Sequence, residues 1–198
     1  MKIKEKIARI DDLILKKDFL QKLIKLSWRK YNIDDLVNLK YISVIKKWEI
    51  YFNNLIEPFK NPYIIWWAYM DFKDFMFGGF DMYNKKGFST QVSNIFTVYN
   101  LKYSKELEIL GLKFRFKKIK KDFFYWKETK MIKWYKINFM QKERLFLEYV
   151  RDYINYDENF FVEIYKNLDK KILEKFLKKY PVKKVVLRIN KIKNYVYS

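Results

Sequence analysis

Residues 76–99 have the sequence MFGGFDMYNKKGFSTQVSNIFTVY, and this stretch decides the organisation of the chain. It contains three of the four glycines and the clearest change from helical to strand-like patterning. Glycine weakens helices, so Gly78 and Gly79 are predicted to end a preceding helix. The pattern then predicts a short helix at Asp81–Lys86 and a left-handed cap at Gly87. Two strands are predicted to follow, at Thr90–Val92 and Ile95–Tyr99.

The distribution of charge sets this stretch apart from the rest of the chain. The formal net charge is +20, which predicts attraction to polyanions such as nucleic acid or an anionic membrane surface. Across residues 61–100, however, three basic residues balance three acidic ones. The central stretch is therefore predicted to belong to the core, and a polyanion is predicted to bind the basic regions on either side.

The composition excludes several classes of site. Half of the 198 residues are hydrophobic, so the chain is expected to fold, but it contains no cysteine and no histidine. Disulfides, thiolate or histidine metal sites and imidazole catalysis are thereby excluded. We expect no catalytic residue, metal or cofactor. Acidic residues near the start and the lack of a long apolar run predict a cytoplasmic protein without membrane contact.

The N-terminal region has the pattern of three helices followed by a hairpin. Helices are predicted at residues 2–15, Asp18–Leu26 and Ser27–Leu39, the last capped by Ser27, and strands at Tyr41–Lys46 and Trp48–Phe52. This order is the outline of a winged helix-turn-helix. In such a module the helix before the hairpin enters the major groove, and the hairpin reaches phosphates. Double-stranded DNA is therefore the predicted partner.

Basic residues surround the predicted third helix and hairpin. The candidate DNA-binding residues are Lys25, Arg29, Lys30, Lys40, Lys46 and Lys47. Together they are predicted to form one positive face. The alternative is that they are ordinary solvated lysines and arginines in a lysine-rich chain.

A linker is predicted at Asn53–Pro62, which contains two prolines and two adjacent asparagines. It divides the chain into a DNA-binding domain, residues 1–56, and a C-terminal domain, residues 61–198. The latter opens with a predicted aromatic helix, Tyr63–Phe75. That helix would lie on a membrane surface, form a stacking platform for single-stranded nucleic acid, or be buried. Its lack of basic residues favours burial.

The C-terminal domain is predicted to be mixed α/β, with a small, mainly antiparallel sheet and a helical end, which makes the whole chain α+β. Its clearest strand is Leu112–Lys118, where apolar and basic residues alternate. Two more strands are predicted at Phe123–Lys127 and Met131–Phe139, joined by a turn at Glu128–Lys130. Helices are predicted at Gln141–Ile154, Asn159–Asn167, Leu168–Tyr180 and Val182–Tyr195.

The densest basic cluster follows the alternating strand and consists of Lys117, Lys118, Lys120 and Lys121. It is either a phosphate-binding patch or a solvated sheet edge that lysines protect from aggregation.

Two other functions stay open at this point. Asp122 followed by Glu128 and Lys130 has the acid, then acid-x-lysine order of some Mg²⁺-dependent nucleases, although the predicted turn is an unfavourable place for it. The chain would otherwise be a basic protein-interaction module that does not bind DNA.

Three segments give the chain a resemblance to the AbiEi family of antitoxins from type IV toxin–antitoxin systems, some of which act in phage defence. They are Asp34–Tyr51, with the sequence DDLVNLKYISVIKKWEIY; the segment from Asp81 to Val92; and Lys142–Glu148, with the sequence KERLFLE. The chain departs from the family pattern at Trp48, near a usual glycine, and at Lys142, in place of a proline.

The resemblance implies a repressor that binds repeats in its own promoter through the N-terminal module. It also implies a C-terminal domain that counteracts a cognate nucleotidyltransferase-like toxin, with which the antitoxin need not form a stable complex. The residues that confer antitoxicity are not assigned.

Overall fold

A computed structural model describes residues 2–27, 30–57, 59–70 and 74–197. The fold is mixed α+β with two sheets, as predicted. The chain divides into two compact units, residues 1–72 with 108–111 and residues 73–107 with 112–198. The predicted domain limits at residues 56 and 61 stay a prediction.

The helices are α1 Ile3–Ala8, α2 Lys17–Lys25, α3 Ile33–Asn38, α4 Pro62–Met70, α5 Phe80–Lys85, α6 Lys142–Asp152, α7 Asn159–Lys166, α8 Lys170–Leu177 and α9 Lys183–Tyr197. The strands are β1 Ile14–Lys16, β2 Ile42–Lys46, β3 Ile50–Asn53, β4 Phe75–Gly78, β5 Ile95–Asn100, β6 Lys105–Ile109, β7 Leu112–Lys118, β8 Lys127–Ile132 and β9 Tyr135–Met140. Within the described ranges, no helix combines the length and the apolar character needed to cross a membrane.

The first unit contains an antiparallel sheet with the strand order β1-β3-β2. The helices α1, α2 and α3 cover it with apolar side chains. The buried cluster consists of Ile3, Ile7, Leu15, Leu20, Leu36, Ile42 and Tyr51. The elements therefore follow the order α1, β1, α2, α3, β2, β3.

Two of the N-terminal helix predictions are wrong in extent. The predicted helix 2–15 ends at Ala8, and Ile14 instead opens β1, where it pairs with Phe52 of β3. The third helix begins at Ile33 and not at Ser27, whose hydroxyl donates to the carbonyl of Ile24. A strand of three residues is too short to show a recognisable alternation. Its pairing partner, β3, lies far along the chain, so local patterns do not reveal the pairing.

Helix α4 is largely buried and contacts β2 and β3, which agrees with the buried interpretation of the aromatic helix. It is shorter than predicted. The described helix ends at Met70, residues 71–73 lie outside the described part of the chain, and Phe75 already belongs to β4.

The second unit contains a six-stranded sheet with the order β6-β7-β5-β4-β9-β8. It is mixed: β5 and β7 are parallel, as are β4 and β9, whereas β4–β5 and β8–β9 are antiparallel pairs. The sheet is thus larger and less antiparallel than the predicted one. The alternating segment Leu112–Lys118 is β7, and the predicted helical end corresponds to α6 to α9.

The central stretch forms the interior of this sheet. All four residues of β4 are buried, and a Cβ on Gly79 would lie 2.8 Å from the Thr97 side chain of β5. The Asp81 carboxylate accepts from the backbone N–H of Thr97 at 3.2 Å and fixes α5 to β5. The predicted left-handed cap at Gly87 is confirmed by its φ of 75°. The predicted strand Thr90–Val92 is a loop instead.

The predicted turn at Glu128–Lys130 is wrong, because these residues lie inside β8. The hairpin turns at Lys133 and Trp134, and Lys133 adopts a left-handed φ of 53°. The predicted strand at Phe123–Lys127 is replaced by a 3-10 turn at Lys121–Phe123 and a loop.

Candidate nucleic-acid interface

The hairpin of the first unit turns at Lys47, Trp48 and Glu49, between β2 and β3. Trp48 has a φ of 67°, a left-handed conformation that normally favours glycine. Its side chain is 59% exposed. Trp48 is therefore accommodated by a turn of the glycine type, with its ring at the surface.

The start of α2 lies beside this turn. The backbone N–H of Lys17 donates to the carbonyl of Glu49 at 3.0 Å, and Lys16 is in register with Ile50. The Lys17 and Lys47 ammonium groups lie 5.9 Å and 5.7 Å from the centroid of the Trp48 ring. We call Lys16, Lys17, Lys47 and Trp48 the hairpin-tip cluster.

The structure separates the candidate DNA-binding residues into several places. Lys46 and Lys47 lie at the tip, where the Lys46 ammonium forms an ion pair with Glu49. Lys40 lies two residues before β2, a strand that spans about 14 Å from Ile42 to Lys46. Lys25 ends α2, about 12 Å from Lys17 along the helix axis. The residues that were predicted to form a single positive face therefore lie near opposite ends of α2 and β2.

The two remaining candidates lie between α2 and α3. Lys30 is exposed, and Arg29 lies outside the described residues.

The first turn of α3 is acidic. Asn32 and Asp35 form a capping box, in which the Asn32 side chain accepts from the Asp35 N–H at 2.8 Å and the Asp35 carboxylate accepts from the Asn32 N–H at 2.7 Å. Asp34 is exposed in the same turn. Negative charge at a helix start is favourable for the helix, but it repels phosphate. A polyanion would therefore have to be bound by the cations before α3 and on the hairpin.

Lys16 and Lys17 were not among the sequence-predicted site residues. Because residues 2–15 were predicted to be one helix, the strand β1, which places Lys16 and Lys17 beside the hairpin, was not predicted. A signal was present in the short apolar run Leu13–Leu15 between Asp12 and Lys16, but three residues are too few to identify a strand by alternation.

The second predicted patch lies at the end of β7 and in the turn that follows. Lys117 is half-buried, with its ammonium group 5.8 Å from the centroid of the Tyr99 ring. Lys118, Lys120 and Lys121 are exposed. Because β7 lies between β6 and β5, Lys117 and Lys118 are not on an edge strand, so edge protection does not account for them. Phosphate binding by this patch stays a prediction.

Sequence reasoning also missed a buried ionic network on α6. Arg144 and Glu148 are each 1% exposed and form an ion pair, and Arg151 binds the second oxygen of Glu148. The Tyr180 hydroxyl donates to Glu148 at 3.3 Å. The guanidinium of Arg144 also lies against the rings of Tyr125 and Tyr180. Burial raises the pKa of Tyr125 to about 12, so its ring faces the guanidinium as a neutral phenol.

The acid-x-lysine residues lie on β8. The Glu128 carboxylate is 2.9 Å from the Lys130 ammonium and 3.4 Å from that of Lys86. Burial alone would raise the pKa of Glu128, but hydrogen bonds and charge from Lys130 and Lys86 together lower it. Asp122 is exposed in the 3-10 turn. Within the part of the chain that the structure describes, no three acidic side chains come together to hold a metal ion.

No protein-family model matches this chain, and a search of curated proteins finds no significant relative.

Proposed function

We propose that this protein is a DNA-binding transcriptional regulator and antitoxin, of the kind that the AbiEi resemblance implies. It would repress its own operon in the cytoplasm and counteract a cognate nucleotidyltransferase-like toxin. The observation that carries the proposal is the architecture of the first unit together with its basic hairpin tip.

The first unit supports a winged helix-turn-helix through both its order and its pairing. A helix, a short strand, two further helices and a hairpin follow one another, and the short strand β1 adds to the hairpin strand β3. The hairpin then corresponds to the wing, and α3 to the recognition helix.

The basic and acidic residues of the first unit suggest separate roles in binding duplex DNA. Lys17 and Lys47 at the hairpin tip would contact phosphates, which give affinity and register but no sequence information. Asp34 at the start of α3 would face the major groove, where a carboxylate accepts a hydrogen bond from the amino group of cytosine. The acidic first turn of α3 is thus a source of specificity at a cost in overall affinity.

The test measures the binding of the full chain to duplex DNA that carries the repeats of its own promoter. Fluorescence anisotropy gives the affinity at several salt concentrations. The double variant Lys17→Glu/Lys47→Glu should weaken binding. It should also reduce the slope of log K against log salt by about two, because two phosphate contacts are lost. The matched control is Lys183→Glu/Lys184→Glu, which changes the charge equally at the exposed start of α9.

An unchanged salt slope for the Lys17→Glu/Lys47→Glu variant would refute the assignment of the hairpin as a wing. Equal losses in both double variants would show attraction to net charge alone. Stable capture of an acidic protein partner without any DNA binding would favour the interaction-module alternative.

The antitoxin part of the proposal is tested in cells. A nucleotidyltransferase-like protein encoded beside this chain should arrest growth when expressed alone, and co-expression of this chain should restore growth. The Lys17→Glu/Lys47→Glu variant should still restore growth from an unrelated promoter, since antitoxicity is assigned to the second unit. Failure of the wild-type chain to restore growth would overturn this part.

The alternative of a Mg²⁺-dependent nuclease gains one favourable observation, because Glu128 and Lys130 lie on a strand and not in a turn. The proximity of Glu128 to two lysines weighs against metal binding, since both carboxylate oxygens already have cationic partners. Mg²⁺-dependent cleavage that Glu128→Ala abolishes would establish this alternative.

A further inference from the structure

The β8–β9 hairpin of the second unit presents an exposed face with an unusual composition. Residues whose Cα atoms are paired across antiparallel strands place their side chains on the same face. Lys127, Thr129 and Met131 of β8 thereby share a face with their partners Met140, Asn138 and Lys136 of β9. Most of this face is exposed, and Met131 is 57% exposed.

The tip of the same hairpin carries a large aromatic side chain. Trp134 is 69% exposed, next to Lys133 with its left-handed backbone. A cross-strand hydrogen bond from the Thr129 hydroxyl to the Asn138 side chain, at 2.8 Å, joins the two strands on the exposed face. The tryptophan is therefore held at the end of a paired hairpin.

The electrostatics of this face are one-sided. The only acidic residue between Trp126 and Met140 is Glu128. Its Cα partner is the buried Phe139, so Glu128 lies on the opposite face of the hairpin, near Lys86 and Lys130. The exposed face therefore carries Lys127 and Lys136 without an opposing carboxylate of its own.

Edge protection explains only part of this pattern. Strand β8 is at the edge of the sheet, where lysines prevent pairing with other chains. Edge protection does not explain why an exposed tryptophan and an exposed methionine lie beside those lysines. Cations that follow a backbone, combined with an aromatic ring on which a base can stack, are the features of single-strand binding surfaces.

We propose that the exposed face of the β8–β9 hairpin binds single-stranded nucleic acid. Trp134 stacks on an unpaired base at the hairpin tip, Lys136 neutralises a phosphate near that base, and Lys127, at the other end of β8, neutralises a phosphate farther along the strand. A duplex hides the faces of its bases, so this surface distinguishes single strands from double strands. An anionic membrane is the less suitable occupant, because Lys133 and Lys136 lie next to the two exposed apolar side chains, Met131 and Trp134, which together are too few to form an apolar face. The proposal does not depend on the operator binding assigned to the first unit.

The experiment measures binding of the full chain to fluorescein-labelled oligothymidylate and oligouridylate of about 12 nucleotides, within the range of single-strand site sizes. Trp134→Leu keeps an apolar side chain but removes the aromatic face. It should weaken binding at least about fivefold, the lower end of the loss for one base stack. Trp134→Phe should retain most of the affinity, and Lys136→Glu should reduce the salt dependence.

The matched control is Trp48→Leu, which changes the exposed tryptophan of the first unit in the same way and without a change of charge. It should leave oligothymidylate binding unchanged, whereas Trp134→Leu should leave duplex binding unchanged. Circular dichroism should show each variant folded, since both tryptophans are exposed.

Three results would overturn the proposal. The first is equal oligothymidylate affinity for Trp134→Leu and the wild-type chain, or no binding at low salt. The second is an equal loss of duplex binding in Trp134→Leu. The third is Trp134-dependent binding to phosphatidylserine vesicles without binding to either oligonucleotide.

Discussion

At the scale of single residues, the guanidinium of Arg144 is a buried charge that depends on a counter-ion. An unpaired buried charge costs several kcal/mol, and here Glu148 supplies the counter-charge from the next turn of α6. The network lies in the KERLFLE segment that contributes to the family resemblance. Its residue types are therefore explained by charge pairing inside the second unit, whatever the function of that unit.

Replacing Glu148 by glutamine should strongly destabilise the chain. The substitution keeps the side-chain volume but leaves Arg144 without its anion, which should lower the free energy of unfolding by about 3–5 kcal/mol. Urea unfolding measures this change. The control Glu163→Gln, which removes an exposed pair with Lys166, should cost less than about 1 kcal/mol.

The double variant Arg144→Met/Glu148→Gln should be less destabilised than the sum of its two single variants. Additive losses would contradict the assignment of these two residues as a coupled pair.

Glu128 should make stability depend on pH. Its pKa is lowered in the folded chain, so its contribution is complete above the unfolded-state value of about 4.3 and is lost as the pH falls through the lower folded value. The difference in unfolding free energy between the wild-type chain and Glu128→Gln should therefore shrink from pH 7 to about pH 3. In a Lys86→Met/Lys130→Met background that decline should disappear, and its persistence there would refute the cause given for the pKa.

At the scale of elements, α3 depends on its cap because it is only six residues long. A helix this short has few internal hydrogen bonds and is marginal in isolation. In its capping box the Asn32 side chain accepts from the N–H of Asp35, and the Asp35 carboxylate accepts from the N–H of Asn32. The orientation of the proposed recognition helix is consequently sensitive to one side chain.

Asn32→Ala should lower stability by about 1 kcal/mol and also weaken operator binding, because it loosens the start of α3. The matched control is Asp169→Ala, which removes the corresponding cap of α8, where the Asp169 carboxylate accepts from the Ile172 N–H. The control should cost a similar stability without changing operator affinity. Thermal unfolding and anisotropy titration of both variants give the comparison, and equal loss of binding would count against α3 as the DNA-reading element.

The turn into α5 offers a second test at this scale. Gly79 and Gly87 both have positive φ, but a Cβ at Gly79 would meet Thr97 whereas one at Gly87 would meet nothing within 4 Å. Gly79→Ala should therefore destabilise the chain clearly more than Gly87→Ala, which carries only the backbone penalty of about 1 kcal/mol. Urea midpoints measure both variants. Equal effects would mean that the Thr97 side chain moves aside without a loss of stability.

At the scale of the whole molecule, the net charge of +20 acts on stability as well as on binding. Like charges repel one another in the compact state, and salt screens this repulsion. The melting temperature should therefore rise between low and moderate NaCl concentration. Scanning calorimetry measures the shift, and the same rise in sodium acetate would exclude specific binding of chloride. A falling melting temperature would show that attractive surface ion pairs outweigh the repulsion.

The sequence alone predicted the elements whose patterns are local. Strand β7 shows alternation over seven residues, the four C-terminal helices show apolar spacing and punctuation by proline or polar residues, and the cap at Gly87 has its own residue signal. Strand β4 was missed for a physical reason. Its four residues are all buried, so they show no alternation of apolar and polar side chains.

What the sequence by itself determined is the α+β class, the basic segments on either side of a neutral centre, and the central stretch as an internal feature. Only the tertiary structure decided the pairings between distant segments. It placed Lys17 beside Trp48, brought the rings of Tyr125 and Tyr180 against Arg144, and exposed Trp134 at the end of a lysine-bearing hairpin. Composition and periodicity report how each residue relates to its near neighbours, whereas a site depends on contacts that form only when separate segments pack together.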